Sequence, residues 1–527
     1  MVVALLFASL SGYAQQNTYQ KSFGGTTAFE YGYATQATSD GGCVIAGCTF
    51  SYGGSGCHRY TVKFDADGTE QWSRVYNANQ TEVWNDIAVT TDGYVMCGYS
   101  YSGTSDTNRA AIVRTNTSGD TLWTKFWPVA DAYAIIQTHD GNIVAAGLTA
   151  STYPTPSDAF VIKLDGNTGD TLWTRIWGGT QQDWFYGIQE TNDGGIVLAG
   201  FTASYGAGQN DILLFKTDAN GNALWEKTYG TTGQEEAYGH CVQQTTDHGF
   251  IVSGYSTTDS AICLVKTDSA GNLQWAKEYV ASNTYYSSSH AVAQSSDGGY
   301  VIAGWKLIYP SGRNVPCLIK TDSEGNLSWC KFYGGTGDDL FYGVKQATDG
   351  GYIACGRNYS FESNGDAYVV KTDAYGNSGC YQTDTVLTVK IPAYATMTIT
   401  MPLSYGKQTT GKATTVTSGY SERVLCTSTG VEGTEHSTAS IANSLEVYPN
   451  PFNPTTTITF SLARSGNATV RVYDDLGREV ATVASGVFRA GEVHKVQFDG
   501  SRLSSGVYYA RLETAGKTQM RKLLLIK

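Results

Sequence analysis

Short apolar runs bounded by polar turns follow one another along most of the chain. Residues 171–200 show the unit: a run containing a Trp, a loop, an apolar run, an Asp-Gly-Gly turn and a second apolar run. A third apolar run with a basic end, such as ILLFKTD or ICLVKTD, precedes the next Trp. Because runs of this length between Gly, Asp and Asn turns favour strands, each unit predicts about four β-strands. We therefore expect an all-β fold.

The unit repeats with a nearly constant period. The Trp recurs at intervals of 50 to 54 residues, at Trp72, Trp123, Trp173, Trp225, Trp275 and Trp329. The turn aspartate recurs at Asp40, Asp92, Asp140, Asp193, Asp247, Asp297 and Asp349. Four short strands in a repeat of this length are typical of one blade of a β-propeller.

The repeats contain seven turn aspartates but six tryptophans, so one repeat lacks a Trp strand. We predict that the N-terminus supplies this strand. Residues 19–25, YQKSFGG, match residues 173–179, WTRIWGG, with Tyr19 in the place of Trp173. The last repeat stops at Cys380 without a Trp run. We therefore predict a seven-bladed β-propeller over residues 15–380, in which the N-terminal strand completes the last blade. This closure would remove open sheet edges.

The rest of the chain divides into smaller segments. Apolar residues at 2–10, followed by Gly12, Tyr13 and Ala14, predict a signal peptide at 1–14, although a buried N-terminal strand is the alternative. No other stretch is apolar enough to span a bilayer. Residues 381–426 alternate in VLTVKIP and TMTITMP and predict a β-rich stalk. The Ser/Thr-rich residues 427–443 predict a linker. Alternating runs over 444–527 predict a small immunoglobulin-like sandwich.

The last segment carries a family resemblance. YPNPFNP at 448–454, VYDDLGREV at 472–480, LSSGVYYARL at 503–512 and the terminal RKLLLIK resemble the C-terminal sorting domain of type IX secretion substrates. The segment is also similar to the Ig-like domain of flagellar hook-cap proteins. The resemblance implies export by the type IX machinery across a Gram-negative outer membrane, then removal of the domain and surface attachment or release. An Ig-like adhesion module is the alternative. The repeats resemble secreted bacterial propeller proteins, which share no common activity.

Net charge and cysteine content limit the classes of partner and the cellular compartment that we expect. A net charge of −12 argues against a nucleic-acid partner. Eleven cysteines fit an oxidising compartment, and their odd number leaves at least one thiol free. Cys48 and Cys57 flank a loop and are one candidate disulfide, while Cys380 and Cys426 bracket the stalk and are a second. We expect a monomer.

The repeated turns do not by themselves indicate a metal or a cofactor. DANGN, DSAGN and similar turns look like the start of calcium loops, but a Trp run follows where a bidentate Glu would stand. Asp and Asn more often cap such turns. LDGNTGDTLW at 164–173 resembles the tryptophan-docking repeat of pyrroloquinoline-quinone dehydrogenases, which are eight-bladed and carry adjacent cysteines that this chain lacks. We predict no cofactor, no metal site and no catalytic residue.

The best functional indication is the difference between connections. Two per repeat are tight and two are long, so the long loops should share one face, and their Tyr, Ser, Gly and Asn residues suit ligand contact. Acidic and aromatic residues recur before the innermost strand. The candidate rim residues are Glu30, Tyr31, Glu82, Trp84, Asp183, Trp184, Glu235, Glu236, Tyr238, Tyr285, Tyr286, Asp338, Asp339 and Phe341. The alternative is that each acid only caps a loop.

These observations favour a binding function over a catalytic one. We expect a secreted or cell-surface binding or adhesion module whose loop face contacts a glycan or a protein. The alternative is an extracellular hydrolase or lyase that acts on polysaccharide, with a site built from loops of several blades. A pair of carboxylates, or a carboxylate with His or Tyr, converging in one cleft would favour the enzyme.

Overall fold

The computed structural model describes two compact units, Met1–Gly433 and Thr434–Lys527. The described residues are 18–24, 28–51, 56–77, 81–101, 108–128, 130–149, 156–281, 284–361, 365–404, 409–410, 414–417, 421–427, 444–448, 452–462, 466–474, 478–489, 494–514 and 517–527. They form strands, turns and bends, and none of them is helical. The predicted signal peptide and nearly all of the predicted linker lie outside these residues.

Seven antiparallel sheets follow one another along the first unit, and strands that are neighbours in sequence pair within each sheet. Sheet 1 contains β2 (Glu30–Ala37), β3 (Cys43–Thr49), β4 (His58–Phe64) and β5 (Glu70–Asn77). Sheet 2 contains β6 (Thr81–Thr90), β7 (Gly93–Tyr101), β8 (Asn108–Asn116) and β9 (Thr121–Pro128). Sheet 3 contains β10 (Ala130–Gln137), β11 (Ile143–Thr149), β12 (Ala159–Leu164) and β13 (Thr171–Trp177). Sheet 4 contains β14 (Asp183–Glu190), β15 (Ile196–Thr202), β16 (Asp211–Thr217) and β17 (Ala223–Gly230).

In sheet 5 the first strand is divided in two. Its strands are β18 (Glu235–Glu236), β19 (Val242–Gln244), β20 (Phe250–Ser256), β21 (Ala261–Thr267) and β22 (Leu273–Val280). Sheet 6 contains β23 (Thr284–Gln294), β24 (Tyr300–Ile308), β25 (Arg313–Thr321) and β26 (Leu327–Tyr333). Sheet 7 contains β27 (Leu340–Gln346), β28 (Tyr352–Asn358), β29 (Asp366–Thr372) and the N-terminal strand β1 (Tyr19–Gly24).

Each sheet contacts the next one along the chain, and the seventh contacts the first. A buried apolar cluster lies at every one of these junctions. Between sheets 3 and 4, for example, Val161 and Trp177 meet Leu198 and Phe215. The two middle strands of sheets 1 and 4 are buried along their whole length because both of their faces meet a neighbouring sheet. The burial of this apolar area is the main stabilising contribution.

The N-terminal strand is the fourth strand of the seventh sheet. β1 pairs antiparallel with β29, and Tyr19 lies opposite Lys371. The ring of Tyr19 lies against Gly68 of sheet 1, and the other six sheets place a Trp against the corresponding glycine of the next sheet. The first and last repeats are therefore joined in one sheet.

The segment after sheet 7 runs along the outer edges of all seven sheets, and we call it the strap. Its strands are β30 (Gln382–Asp384), β31 (Thr388–Lys390), β32 (Ala395–Thr398), β33 (Leu403–Ser404), β34 (Thr409–Thr410), β35 (Thr414–Thr417) and β36 (Ser421–Thr427). They pair in order with the outermost strands of sheets 6, 5, 4, 3, 2, 1 and 7. We expected a small β element or an extended stalk here; the described residues add one further strand to the edge of each sheet. They satisfy edge N–H and C=O groups that would otherwise be exposed.

The second unit contains two sheets around one core. β37 (Ser444–Tyr448), β38 (Thr455–Ser461) and β41 (His494–Asp499) form one sheet, and β39 (Gly466–Asp474), β40 (Glu479–Phe488), β42 (Gly506–Thr514) and β43 (Lys517–Leu525) form the other. Ile458 and Phe498 from the first sheet share the core with Val470 and Leu512 from the second. Two antiparallel sheets with a common core form a β-sandwich.

Candidate ligand-binding site

The two ends of each sheet differ in how the strands are joined. In an antiparallel sheet the first and third connections fall at one end and the second connection falls at the other. We call the first end the turn end, because its connections are tight, as at 191–195 and 218–222 in sheet 4. We call the other end the loop end; in sheet 4 it carries 203–210.

The turn end is held by the same kind of ion pair in all seven sheets. A basic side chain on the third strand reaches the turn aspartate; Lys216 Nζ, for example, lies 3.1 Å from Asp193 Oδ1. The other pairs are Lys63–Asp40, Arg114–Asp92, Lys163–Asp140, Lys266–Asp247, Lys320–Asp297 and Lys371–Asp349. Partial burial would raise the pKa of Asp193, but hydrogen bonds from Thr191, Gly195 and Lys216 lower it to about 2.

The aspartate of the second turn caps its own loop. Asp218 Oδ1 accepts the backbone N–H groups of Asn220 at 2.9 Å and Asn222 at 2.8 Å. Asp268, Asp322 and Asp373 accept the equivalent N–H groups in the next three sheets. These bonds are the capping interactions that Asp commonly makes in such turns. No group of three or more His, Cys, Asp or Glu side chains among the described residues is placed to hold a metal ion.

The repeated Trp packs on the second turn of the following sheet. A Cβ atom at Gly221 would lie 2.8 Å from the indole of Trp173, and the φ of Gly221 is +75°. Only glycine adopts this backbone conformation without strain and leaves room for the ring. The other pairs are Trp72–Gly119, Trp123–Gly169, Trp225–Gly271, Trp275–Gly325 and Trp329–Gly376. The repeat of this Trp is therefore explained by packing between sheets.

Four of the predicted rim acids are buried and bonded to their own loops. Asp183 accepts the hydroxyl of Ser204 at 2.7 Å, the hydroxyl of Thr202, and the N–H of Gly179 at 2.8 Å. Burial raises the pKa of Asp183, although these bonds oppose the change. Glu30, Glu235 and Asp339 are buried too and accept hydroxyls of Thr49, of Thr231 and Ser256, and of Ser360. The capping alternative describes these residues, which do not form an exposed rim.

Two further acids and two aromatic residues of the predicted rim are also buried. Glu82 forms an ion pair of 2.9 Å with Arg59, and the side chains of both are fully buried. The guanidinium of Arg59 lies 4.5 Å from the ring centroid of Trp84, which is fully buried as well. Glu236 is buried and accepts the hydroxyl of Tyr238. Phe341 is fully buried. Trp84 and Phe341 therefore belong to the core.

The remaining predicted residues keep some exposed surface at the loop end. Tyr31, Trp184, Tyr238 and Tyr286 are half-buried. The indole N–H of Trp184 donates to Ser157 Oγ at 2.8 Å. Asp338 is exposed and accepts the N–H of Asn314 at 2.8 Å. The side chain of Tyr285 lies outside the described residues. Four predicted aromatic residues are thus placed where a ligand can reach them.

Six of the seven members of a second set of loop-end residues were missed by the sequence analysis, and only Tyr238 was predicted. The member of this set lies three residues after the acid in five sheets and three residues after Ala130 and Ser287 in sheets 3 and 6. In six of the sheets this residue is the extra residue of a β-bulge in the first strand. A bulge leaves its extra residue outside the pairing and redirects its side chain. We call this set the loop-end ring: Tyr33, Asn85, Tyr133, Tyr186, Tyr238, His290 and Tyr342.

Six members of the loop-end ring form an unbroken series of aromatic contacts. The centroid distances are 5.1 Å for Tyr33–Tyr342, 5.2 Å for Tyr342–His290, 6.2 Å for His290–Tyr238, 4.7 Å for Tyr238–Tyr186 and 4.7 Å for Tyr186–Tyr133. The seventh member, Asn85, donates to the carbonyl of Ala132 at 2.8 Å. All are half-buried except Tyr186, which is 8% exposed. The ring thus links all seven sheets.

The titratable members of the loop-end ring are uncharged at neutral pH, and burial moves the pKa values of Tyr342 and His290 further from neutrality. Burial raises the pKa of Tyr342 to about 12 and lowers the pKa of His290 to about 4. The indole N–H of Trp305 donates to His290 Nε2 at 3.2 Å. The ring therefore presents aromatic faces, hydroxyls and an amide, which can stack on a ligand and hydrogen-bond to it.

Small residues and one buried contact between an aspartate and a histidine lie next to the ring. In six sheets the residue after the ring position is small: Ala34, Ala134, Gly187, Gly239, Ala291 and Gly343. In sheet 2 it is Asp86, whose carboxylate accepts the N–H of Ile135 at 2.8 Å and lies 3.2 Å from His240 Nε2. Burial raises the pKa of Asp86 and lowers the pKa of His240 to about 3. His240 belongs to sheet 5, so this contact joins two sheets that are not neighbours in the order.

One predicted disulfide is confirmed, and one remains a prediction. Cys48 and Cys57 are bonded across the loop between β3 and β4. Cys380 is disulfide-bonded. The side chain of its predicted partner, Cys426, lies outside the described ones, but the backbone of Cys426 lies opposite Gln20, whose amide donates to the carbonyl of Cys380. The start and the end of the strap therefore lie close together on sheet 7.

Comparison with known proteins identifies the end of the chain. Residues 446–527 match the family of secretion system C-terminal sorting domains. The chain is thus a secreted or cell-surface protein exported by type IX secretion, and its sorting domain implies an interaction with that machinery. No curated protein is similar enough to the chain to count as a match. Among the described residues, no helix is long and apolar enough to cross a membrane.

Proposed function

We propose that the first unit is a seven-bladed β-propeller that binds a glycan at its loop-end ring. The sheets contact one another in sequence order and the seventh contacts the first, as blades around an axis do. The contact of Asp86 in sheet 2 with His240 in sheet 5 supports the same arrangement, because it requires the inner edges of non-neighbouring sheets to meet. The second unit would be the Ig-like domain that directs export.

The observation that carries the binding proposal is the unbroken contact series of the loop-end ring. Five of the seven repeats place a tyrosine at this position, although a bulge residue lies outside the strand pairing and could be small and polar without disturbing it. The apolar faces of sugar rings pack on aromatic side chains, and their hydroxyls bond to tyrosine hydroxyls and amides. A ring of six aromatic residues and one Asn supplies both kinds of contact.

A glycan array tests the proposal. We expect wild-type protein to be retained, and the Tyr33→Ala/Tyr133→Ala double variant to lose at least tenfold in apparent affinity because two stacking surfaces are removed. Trp123→Ala, on the outermost strand of sheet 2, is the control, and it should bind like wild type. Absence of any retained glycan, or equal retention by the ring variant and wild type, would contradict the proposal.

A polysaccharide hydrolase or lyase is the second candidate, and one group of side chains favours it. The hydroxyl of Tyr238 donates to Glu236, and the ring of His290 lies 6.2 Å from the ring of Tyr238. A carboxylate, a tyrosine and a histidine are groups that acid–base catalysis uses. Glu236 is, however, also bonded to Gln234 and Asn210, so its oxygens are already occupied.

Product analysis separates the two candidates. Incubation of the purified protein with each retained glycan should leave the chain length unchanged if the protein only binds. New reducing ends would identify a hydrolase, and new unsaturated ends would identify a lyase. Either result, if abolished by Glu236→Gln, would replace the binding proposal by the enzymatic one.

We also propose that the sorting domain is removed after export and that the propeller then stays on the surface or is released. The match over 446–527 supports the role of this domain as an export signal. Deletion of 445–527 should leave the truncated protein in the periplasm, as cell fractionation would show. Surface exposure of the truncated protein would contradict this role.

A further inference from the structure

One guanidinium at the loop end is surrounded by tyrosines. Arg357 is half-buried in sheet 7, and its guanidinium carbon lies 5.0 Å from the ring centroid of Tyr31 and 5.5 Å from that of Tyr359. The hydroxyls of these two tyrosines are 3.0 Å apart. The tyrosines of the loop-end ring that act electrostatically on Arg357 are Tyr33 and Tyr342. Arg357 therefore lies beside the proposed binding site.

Arg357 has no carboxylate partner within ion-pair distance among the described residues, and its buried Nε atom has no hydrogen-bond partner there. Arg59 shows the usual arrangement: it also stacks on an aromatic ring, but Glu82 lies 2.9 Å away. A partly buried charge without a counter-charge costs free energy. A ligand that supplies a negative charge would remove this cost.

The surface around Arg357 is open and aromatic. Phe29 is 40% exposed and Phe50 is 37% exposed. Phe29 contacts the ring of Tyr359 at 5.9 Å, and Tyr31 contacts Tyr33 of the loop-end ring at 5.9 Å. Aromatic surface thus runs from the loop-end ring past Arg357 to the outside of the molecule. A ligand of several sugar units could follow it.

We propose that the glycan bound at the loop-end ring is acidic and that Arg357 recognises its carboxylate or sulfate groups. This inference rests on the proposed function and adds the class of ligand. The planar guanidinium can donate two parallel hydrogen bonds to either anion, and its stacking on tyrosines holds it in place.

Matched glycan pairs test the charge preference. The probes are polygalacturonate with its methyl ester, and sulfated carrageenan with its desulfated form, added to the same array. Wild-type protein should bind the charged member of at least one pair about tenfold more tightly, and this preference should weaken as salt rises. The first pair reports on carboxylate and the second on sulfate.

Three variants assign the preference to Arg357. Arg357→Gln should abolish the preference for the charged member of a pair, and Arg357→Lys should keep part of this preference. Arg175→Gln is the matched control, since Arg175 also stacks on an aromatic ring, Trp173, but on an outermost strand. It should leave the preference unchanged. Melting temperatures of all variants verify folding, and the salt dependence of wild type serves as the second readout if Arg357→Gln does not fold.

The outcomes separate this inference from the proposed function. Equal binding of both members of every retained pair, or a preference that survives in Arg357→Gln, would overturn the role of Arg357 and leave the glycan site standing. An array that retains no glycan at all, charged or neutral, would overturn the proposed function and this inference together.

Discussion

The turn end and the loop end of the seven sheets are built from the same strands, yet they use their acidic residues differently. At the turn end the aspartate of the first turn meets a basic side chain of its own sheet in all seven sheets. At the loop end six of the seven predicted acids are buried, and their partners change from sheet to sheet: hydroxyls for Asp183, but the guanidinium of Arg59 for Glu82.

This difference indicates which end is free to carry function. At the turn end the same kind of ion pair holds the first turn in all seven sheets. At the loop end the acid position keeps its capping role, while the ring position three residues later holds Tyr, Asn or His. Variation at a fixed place on a rigid scaffold is typical of binding surfaces. Four predictions sharpen the comparison, from the largest expected effect to the smallest.

Loss of the buried ion pair at the loop end should have the largest effect. Glu82→Gln leaves the charge of Arg59 buried without its partner, and we expect unfolding in urea to become easier by about 3–5 kcal/mol. Glu324→Gln, at an exposed turn position, is the control and should change the unfolding free energy by less than about 0.5 kcal/mol. A cost below about 1 kcal/mol for Glu82→Gln would mean that this acid is not structural.

Truncation of the packing tryptophans should come next. Trp173→Ala and Trp84→Ala should each cost about 3 kcal/mol, because each removes a ring packed against the neighbouring sheet. We expect the fraction of the Trp173→Ala protein that is still folded to bind glycan as tightly as wild type does. Trp184→Ala, at a half-buried loop-end position, should cost less stability. The reverse order would mean that core and surface have been assigned wrongly.

Substitutions at the turn end should be milder and uniform. Asp193→Asn and Asp297→Asn each weaken one partly exposed ion pair, and we expect a loss of about 1 kcal/mol for each. The equivalent substitution in other sheets should give nearly the same value. Values that differ among the sheets by more than about 1 kcal/mol would contradict the uniformity of the turn end.

The smallest effect should appear in the acid dependence of stability. The pKa of Asp193 is lowered from 3.8 to about 2, so its contribution is complete above pH 4 and is lost as the pH falls towards 2. We expect the melting temperature of wild type to fall over this range, and the fall to be shallower in Asp193→Asn. Parallel curves for the two proteins would show that this aspartate does not contribute.

Much of the fold could be predicted from the sequence because the repeat is regular. The period and the mismatch of seven turns with six tryptophans led to the pairing of β1 with the last repeat, with Tyr19 in the Trp position. The strap could not be predicted, since alternation in TMTITMP indicates strands but not their partners. Those partners lie up to several hundred residues earlier, on the edges of all seven sheets.

The candidate site was predicted only in part, for a related reason. Recurring acids and aromatics drew attention to the loop end, but Glu82 and Trp84 are buried by Arg59, which lies on a different strand. The ring position is set by a bulge, and a bulge interrupts the alternation that sequence patterns rely on. The sequence did contain a pattern, since the ring position lies three residues after the acid in five sheets. The pattern was not recognised because that position holds Tyr, Asn or His rather than one residue type.

Calorimetric titration of a retained glycan into the full chain tests the central claim most directly. We predict that Tyr342→Ala, which removes a half-buried member of the loop-end ring, weakens binding at least tenfold while urea unfolding shows the protein still folded. Asp297→Asn, at the turn end, should bind with the wild-type Kd. Unchanged binding by Tyr342→Ala, together with weakened binding by Asp297→Asn, would place the ligand at the turn end and contradict the account.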